Sequence, residues 1–270
     1  MKHDNRPIGV FDSGCGGLTV LRVLQARFPH ENFVYYADTA HVPYGTKSPA
    51  EIIAYSHAAL SWLQDVAKVK LIVVACHTSS AIALEAIQNQ FSVPIIGTID
   101  PLVNMIMKHE SNYKNIGIIA TPASAASCVH ARQLYAHDFN GTILSIPCPD
   151  FVPLIEAANL DVATITHAAR GYFVPIIAQQ CDTLVYGCTH YPLIASIIES
   201  VLPAAMQYID PAHAIADAVA QHPEISKHKN RLHGTTQFYC SGDSAPFGHK
   251  IARFMTLPPE QILLKKAELF

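Results

Sequence analysis

Short unbroken apolar runs, each followed by a longer helix-like stretch, recur along this chain and restrict the architectures open to it. PIGVF (7–11) leads into LTVLRVLQARF, FVYYA (33–37) follows, and LIVVA (71–75) leads into SSAIALEAIQNQF. A helix-like EIIAYSHAALSWLQDV lies between the second and third runs. Strands without polar alternation are covered on both faces. Strand–helix repetition of this kind builds a mainly parallel sheet with helices on both sides. The rhythm restarts after VPIIGTIDP (93–101), with NIGIIA (115–120), GTILSI (141–146), DTLVYG (182–187), MQYID (206–210) and QFYCSG (237–242). The expected helices there are SAASCVHARQLYA, LIASIIESVL, AHAIADAVAQ and HKIARFM.

The expected fold is therefore α/β, in two pseudo-symmetric lobes with a cleft between them. Residues 1–98, joined by a returning tail of about 211–270, form the first lobe, and 99–210 form the second. HPEISKHKNRLHG (222–234) reads as a loop. The halves resemble each other: strand–Cys–helix occurs at Cys76 and at Cys188, and strand–polar turn–helix at Asp12-Ser13 and at Thr121-Pro122.

With 270 residues and 50% hydrophobic content, the chain can bury a large core without disulfides. A net charge of −3 gives no nucleic-acid footprint. No apolar run approaches the ~18–20 residues of a membrane span, and MKHDNRPIGVFDSG lacks a signal sequence. Seven scattered cysteines with no CxxC suit a reduced, cytoplasmic protein.

In parallel α/β sheets, ligands sit beyond the carboxyl ends of the strands. Asp12-Ser13, Cys76-His77-Thr78, Thr121 and Cys188-Thr189-His190 all fall there, at expected helix starts. Backbone amides at helix starts favour anions, so this cleft suits a carboxylate. The same setting favours thiolates. Lowering a thiol pKa from about 8.5 to ~7 takes ~2 kcal/mol. Two thiols facing one carbon would form a two-base device: one removes a proton, the other returns one to the opposite face, and the centre inverts.

Each residue also has a plainer reading. A cysteine at a strand end is a small hydrophobe, and Cys15, Cys128, Cys148, Cys181 and Cys240 keep that reading. Asp12 and Ser13 suit N-caps, and His190 suits a cap or a buried position. GCGG is neither GxGxxG nor a P-loop, so nucleotide binding is unsupported. VPYGTKS (42–48) reads as a surface turn, or as a lid whose amides and Tyr44 hydroxyl hold a carboxylate.

Taken together, IGVFDSGCGGLTV (8–20), YYADTAHVPYGTKS (35–48), VVACHTSSA (73–81), IGIIATPAS (116–124), VPLIE (152–156), YGCTHYPLI (186–194) and YID (208–210) resemble the glutamate racemases of the aspartate/glutamate racemase superfamily. The resemblance implies two α/β lobes with the active site between them, no cofactor, and Cys76 and Cys188 as the acid/base pair. Asp12 and His190 would assist Cys76 and Cys188 respectively. Ser13, Tyr44, Gly45, Thr78 and Thr189 would contact substrate beside them, with Thr121, Ser124 and Glu156 as outer polar positions. It also implies a homodimer that supplies D-glutamate for bacterial peptidoglycan. GCTH, where aspartate racemases have GCTE, favours glutamate.

One departure stands out: the family's Cys-Asn-Thr is Cys76-His77-Thr78 here. His77 would donate to the substrate α-carboxylate and, if protonated, would favour a Cys76 thiolate and tie activity to pH near 6.5. Three rivals follow from the same residues. One is a racemase of the superfamily acting on aspartate, hydantoin or another small acid. Another is a metal hydrolase with Cys76, His77, Cys188 and His190 as ligands, although their spacing matches no zinc pattern. The last is a non-catalytic protein that binds acidic amino acids. No lysine stands out as a Schiff-base residue.

Overall fold

The computed structural model describes residues 5–157, 159–223, 225 and 233–267. The chain runs β1 (Ile8–Asp12), α1 (Leu18–Arg27), β2 (Phe33–Ala37), α2 (Pro49–Asp65), β3 (Leu71–Val74), α3 (His77–Ile82), α4 (Leu84–Ile87) and β4 (Ile95–Ile96). It continues with α5 (Ile99–Lys108), β5 (Asn115–Ala120), α6 (Pro122–Ser127), α7 (Val129–Ala136), β6 (Thr142–Pro147), α8 (Phe151–Glu156), α9 (Val162–Tyr172) and α10 (Val174–Ala178). Then follow β7 (Thr183–Gly187), α11 (Ala195–Ser200), β8 (Gln207–Ile209), α12 (Pro211–Gln221), β9 (Thr236–Cys240), α13 (Ser244–Met255) and β10 (Leu264–Lys266).

Two parallel sheets result. The first has the order β10-β9-β2-β1-β3-β4, and the second β6-β5-β7-β8. β1 lies between β2 and β3, with Val10 level with Tyr35 and Val73. Leu21 and Leu24 of α1, Ile215 of α12 and Phe247 of α13 cover one face of the first sheet. Ile52, Leu60 and Leu63 of α2 cover the other. In the second sheet, Phe151, Ile165, Phe173 and Ile198 pack on one face, and Leu102, Ile106 and Leu134 on the other. Covered on both sides, β1, β2, β3 and β7 are buried along their whole length. No helix among the described residues is long and apolar enough to cross a membrane.

Several expected helices are shorter than their apolar patterns. The stretch after β3 divides into α3, α4 and the turn Gln88–Gln90. Ser80 turns its hydroxyl back to the Val74 carbonyl (3.1 Å) and accepts from the Thr98 amide (3.2 Å), tying the helix to the loop after β4. The stretch after β5 breaks at Cys128, whose φ of 52° is left-handed. Pro192 stands in a tight 3-10 turn (Tyr191–Ile194) before α11. Helices α5, α8, α9 and α10 and strand β10 lie outside the expected elements. Of the expected loop 222–234, residues 224 and 226–232 lie outside the described residues, as do residues 1–4 of the N-terminal stretch.

Candidate active site

The turn after β1 joins the two sheets. Asp12 ends β1, and its Oδ1 accepts from the Gly14 amide (2.9 Å). Its Oδ2 accepts from the Thr189 hydroxyl at the end of β7 (3.0 Å). Thr19, at the start of α1, donates to the carbonyls of Gly16 (2.9 Å) and Thr189 (3.1 Å). The turn lies so close to the β7 loop that a Cβ on Gly16 would overlap His190 Nδ1 and Thr189 Oγ1. A Cβ on Gly14 would overlap the Glu156 carboxylate. Glycine is required at both positions by this approach rather than by backbone angles.

A second set of contacts spans the sheets beside Cys76. Cys76 is the N-cap of α3, and its Sγ lies 3.7 Å from Ser13 Oγ. Thr78 Oγ1 meets Thr121 Oγ1 at 2.9 Å, and Thr121 bonds Ser124 Oγ at 3.0 Å. Thr121 also caps α6 through the Ser124 amide. Gly45 packs on Thr121, where a Cβ would stand 2.6 Å from Thr121 Cβ. Asp12, Ser13, Cys76, His77, Thr78, Thr121, Ser124, Cys188, Thr189 and His190 are all no more than 5% exposed, so this arrangement is closed.

On the β7 side, His190 holds two partners. Its Nδ1 faces Cys188 Sγ at 3.8 Å and its Nε2 meets Glu156 Oε1 at 2.7 Å. Glu156 also accepts from the Cys15 amide (3.0 Å) and from Lys250 of α13. Burial alone would lower the His190 pKa, but hydrogen bonds to Cys15, Cys188 and Glu156 raise it well above the ordinary value. Burial pushes the Cys15 thiol up to about 11, so it is neutral at pH 7. The Glu156 carboxylate is therefore the partner that holds the imidazolium. Glu156 in turn, despite burial, is kept well below the usual carboxylate range by His190 and Lys250.

The electrostatics overturn two sequence expectations. Burial, reinforced by the Asp12 charge, pushes the Cys76 thiol up to about 11 against the pull of Ser79 and Ser13. A helix start does not lower it, because removal from water outweighs one amide and two hydroxyls. Burial likewise holds His77 well below its ordinary pKa, with His130 adding to the effect. His77 is thus neutral near pH 6.5 and cannot impose a dependence there. Its ring stacks on that of His130 (centroids 6.0 Å apart), and among the described residues neither of its nitrogens has a hydrogen-bond partner. Burial also raises the Asp12 pKa, opposed by His190, Gly14 and Thr189.

The structure brings the sequence-expected residues together in two cross-sheet groups, with two differences. The Tyr44 hydroxyl is not a free donor: it bonds Asp38 Oδ2 at 2.5 Å, an acid that also accepts from Ser241. The VPYG segment is thereby anchored inward, with Tyr44 only 1% exposed. Among the described residues, the grouping with metal-ligand spacing is Cys15, Glu156 and His190, not the four residues of the hydrolase reading. The Lys250 ammonium on Glu156 opposes a cation there. Sequence reasoning missed Lys250, Asp38 and the backbone amide of Cys15, whose side chain is the buried hydrophobe expected. Cys15 lay within the DSGCGG signal, whereas nothing in the spacing linked Lys250 to β7.

Comparison with known proteins gives concordant matches. Residues 18–219 match the family model described as Asp/Glu/Hydantoin racemase. The chain is 44% identical to a glutamate racemase of Trichormus variabilis over 219 residues, 81% of this chain and 74% of the relative. It is 41% identical to that of Microcystis aeruginosa over 255 residues, 94% and 89% of the two chains. The crystal structure of a Bacillus anthracis glutamate racemase superposes with a TM-score of 0.89, at 30% identity and 99% coverage of both chains. That of a Francisella tularensis glutamate racemase in complex with D-glutamate gives 0.86, at 32% identity and 98% coverage of both.

Proposed function

We propose, from the premise that this chain belongs to the Asp/Glu/Hydantoin racemase family, that it interconverts L- and D-glutamate without a cofactor, using Cys76 and Cys188 as paired acid and base. One thiolate takes the α-proton, forming an S–H bond as the C–H bond breaks. The other thiol gives its proton to the opposite face of the same carbon. The first thiol then remains protonated and the second is left as thiolate, so the reverse reaction starts from that state.

The observation that carries this reading is the Asp12–Thr189 hydrogen bond (3.0 Å). It ties the acid beside Ser13, which touches Cys76, to the residue that follows Cys188. The β1 turn is thus held between the two cysteine-bearing strand ends. Asp12 assists Cys76, and His190, held by Glu156, assists Cys188. Thr78, Thr189, Ser13, His77 and the amides of Gly45 and the α3 start receive the carboxylates, with Thr121 and Ser124 behind Thr78 and Tyr44 bracing Gly45. Preorganised donors of this kind are what a carbanion without an electron sink requires, and exclusion of water strengthens them.

Cys76 is a neutral thiol at pH 7 in this arrangement. The substrate's α-ammonium supplies the missing cation when it arrives, and an opposite charge within ~4–6 Å favours the ionised thiol; Asp12, whose pKa burial raises, takes the thiol proton. The two lobes, 1–98 with about 211–270 and 99–210, part to admit glutamate and close over it. The enzyme works in the cytoplasm as a homodimer, and its D-glutamate serves bacterial peptidoglycan.

The test is separate replacement by Cys76→Ala and Cys188→Ala. Each should lower racemisation by about 10³-fold or more while leaving the circular dichroism and melting temperature close to the parent. Retention of parental activity by either variant would exclude the two-thiol mechanism. A panel with aspartate and hydantoins should show turnover dominated by glutamate.

A further inference from the structure

Lys250 belongs to none of the strand-end motifs, yet it touches the site. It projects from α13, which packs on the first sheet, and its Nζ bonds Glu156 Oε2. The other carboxylate oxygen bonds His190 Nε2 (2.7 Å) and the Cys15 amide (3.0 Å). The far side of the imidazole faces Cys188 Sγ at 3.8 Å. An ammonium, a carboxylate and an imidazolium thus lead in line to the sulfur. The Lys250 side chain is 22% exposed and Glu156 11%, so the outer end of this line meets solvent while its inner end does not. That outer end opens on a cavity of about 480 Å³ lined also by His249 and Arg253. Arg253 is engaged elsewhere, over the Phe254 ring.

We propose that Lys250 is a positioning residue for Cys188, fixing Glu156 against His190 and adding one positive charge to the groups that face the sulfur. The proposal rests on the reading of Cys188 as an acid/base. Asp12 faces His190 from the end of β1 and is common to every variant; with Lys250 present, Lys250, Glu156 and His190 sum to one positive charge. Without it they sum to zero, and with an acid in its place to one negative charge. His190 and Glu156 are largely buried, so such differences are screened less than at an open surface, although the exposed part of Lys250 weakens them. A thiolate at Cys188 loses support in the same order. Lys250 reaches Cys188 only through Glu156 and His190, so its effect should fall on turnover more than on binding.

The experiment compares the full-length parent with Lys250→Arg, Lys250→Met and Lys250→Glu, and with Arg253→Met as a control on the same helix. L- and D-glutamate have equal free energies, so kcat/KM stays equal in both directions, and the separate kcat profiles hold the information. In Lys250→Met, kcat should fall about tenfold with KM within about twofold, and the acid limb of the kcat profile should move up by about one pH unit. Lys250→Glu should move it further, Lys250→Arg should restore it, and Arg253→Met should match the parent. Nitrogen-15 titration of the His190 imidazole requires no turnover, and its midpoint should rise in the order Arg, Met, Glu as positive charge is withdrawn. Failure of either the limb or the imidazole midpoint to follow charge overturns the proposal, as does equal impairment by Met and Glu. A parent that does not racemise glutamate would end the proposed function instead, and the imidazole titration would then decide on Lys250 by itself.

Discussion

Gly16 shows how tightly single residues define this site. A methyl group there would overlap His190 Nδ1 and Thr189 Oγ1, both on the loop that carries Cys188. These are buried, hydrogen-bonded groups, not the ends of flexible side chains. Gly16→Ala should therefore cost roughly 1–3 kcal/mol of stability by overpacking, and it should lower kcat more than a distant substitution of equal cost. Thermal melts beside steady-state kinetics would check this. Unchanged kinetics would mean that the two loops need not approach each other for catalysis. At this scale the sequence was informative where residue types announced chemistry. Cys76, Cys188, Asp12 and Thr189 could be singled out because thiols, an acid and a hydroxyl stood at strand ends. Lys250 could not, because its place beside Glu156 depends on where α13 packs, 94 residues away in the chain. Nor could the completeness of burial be foreseen, and it reversed the expected direction of the Cys76 pKa.

Between elements, the contact of α3 with α7 sets a pH dependence. His77 of α3 and His130 of α7 are each 2% exposed and stack on one another. Burial lowers the His130 pKa to about 4, and holds His77 well below its ordinary value. Unfolded imidazoles take up protons near pH 6.5. Between about 6.5 and 4, the unfolded chain binds protons that the folded chain excludes, so stability falls as pH drops through that window. For His130 alone the loss is on the order of 3 kcal/mol across it. His130→Phe and His77→Asn should each flatten the fall, as read from denaturant midpoints at successive pH values. An unaltered slope in both variants would show that the imidazoles are not buried together in solution. The helix breaks in this region explain what the apolar pattern left out. Periodicity marked one helix after β3 and one after β5, but the Ser80 hydroxyl and the left-handed Cys128 divide them through contacts and angles that periodicity does not encode.

For the molecule as a whole, the two parallel sheets were legible because continuous apolar runs mark strands covered on both faces. The membership of β9 and β10 in the first sheet was harder to read, since it requires the chain to return after β8, and β10 is only three residues long. The closed arrangement has a direct consequence for reactivity. Cys128 is exposed, whereas Cys76 and Cys188 are buried. Iodoacetamide should label Cys128 first, with Cys76 and Cys188 following only as the buried site opens, as peptide mass spectrometry over time would report. Equal labelling rates would contradict closure. The central claim, that two sulfurs address opposite faces of one carbon, is tested most directly by running each enantiomer of glutamate in deuterated water and stopping early. Two bases predict that the newly formed enantiomer carries solvent deuterium at Cα while the remaining starting enantiomer keeps its protium, in both directions. Deuterium appearing equally fast in the starting enantiomer, or a product free of it, would contradict the account.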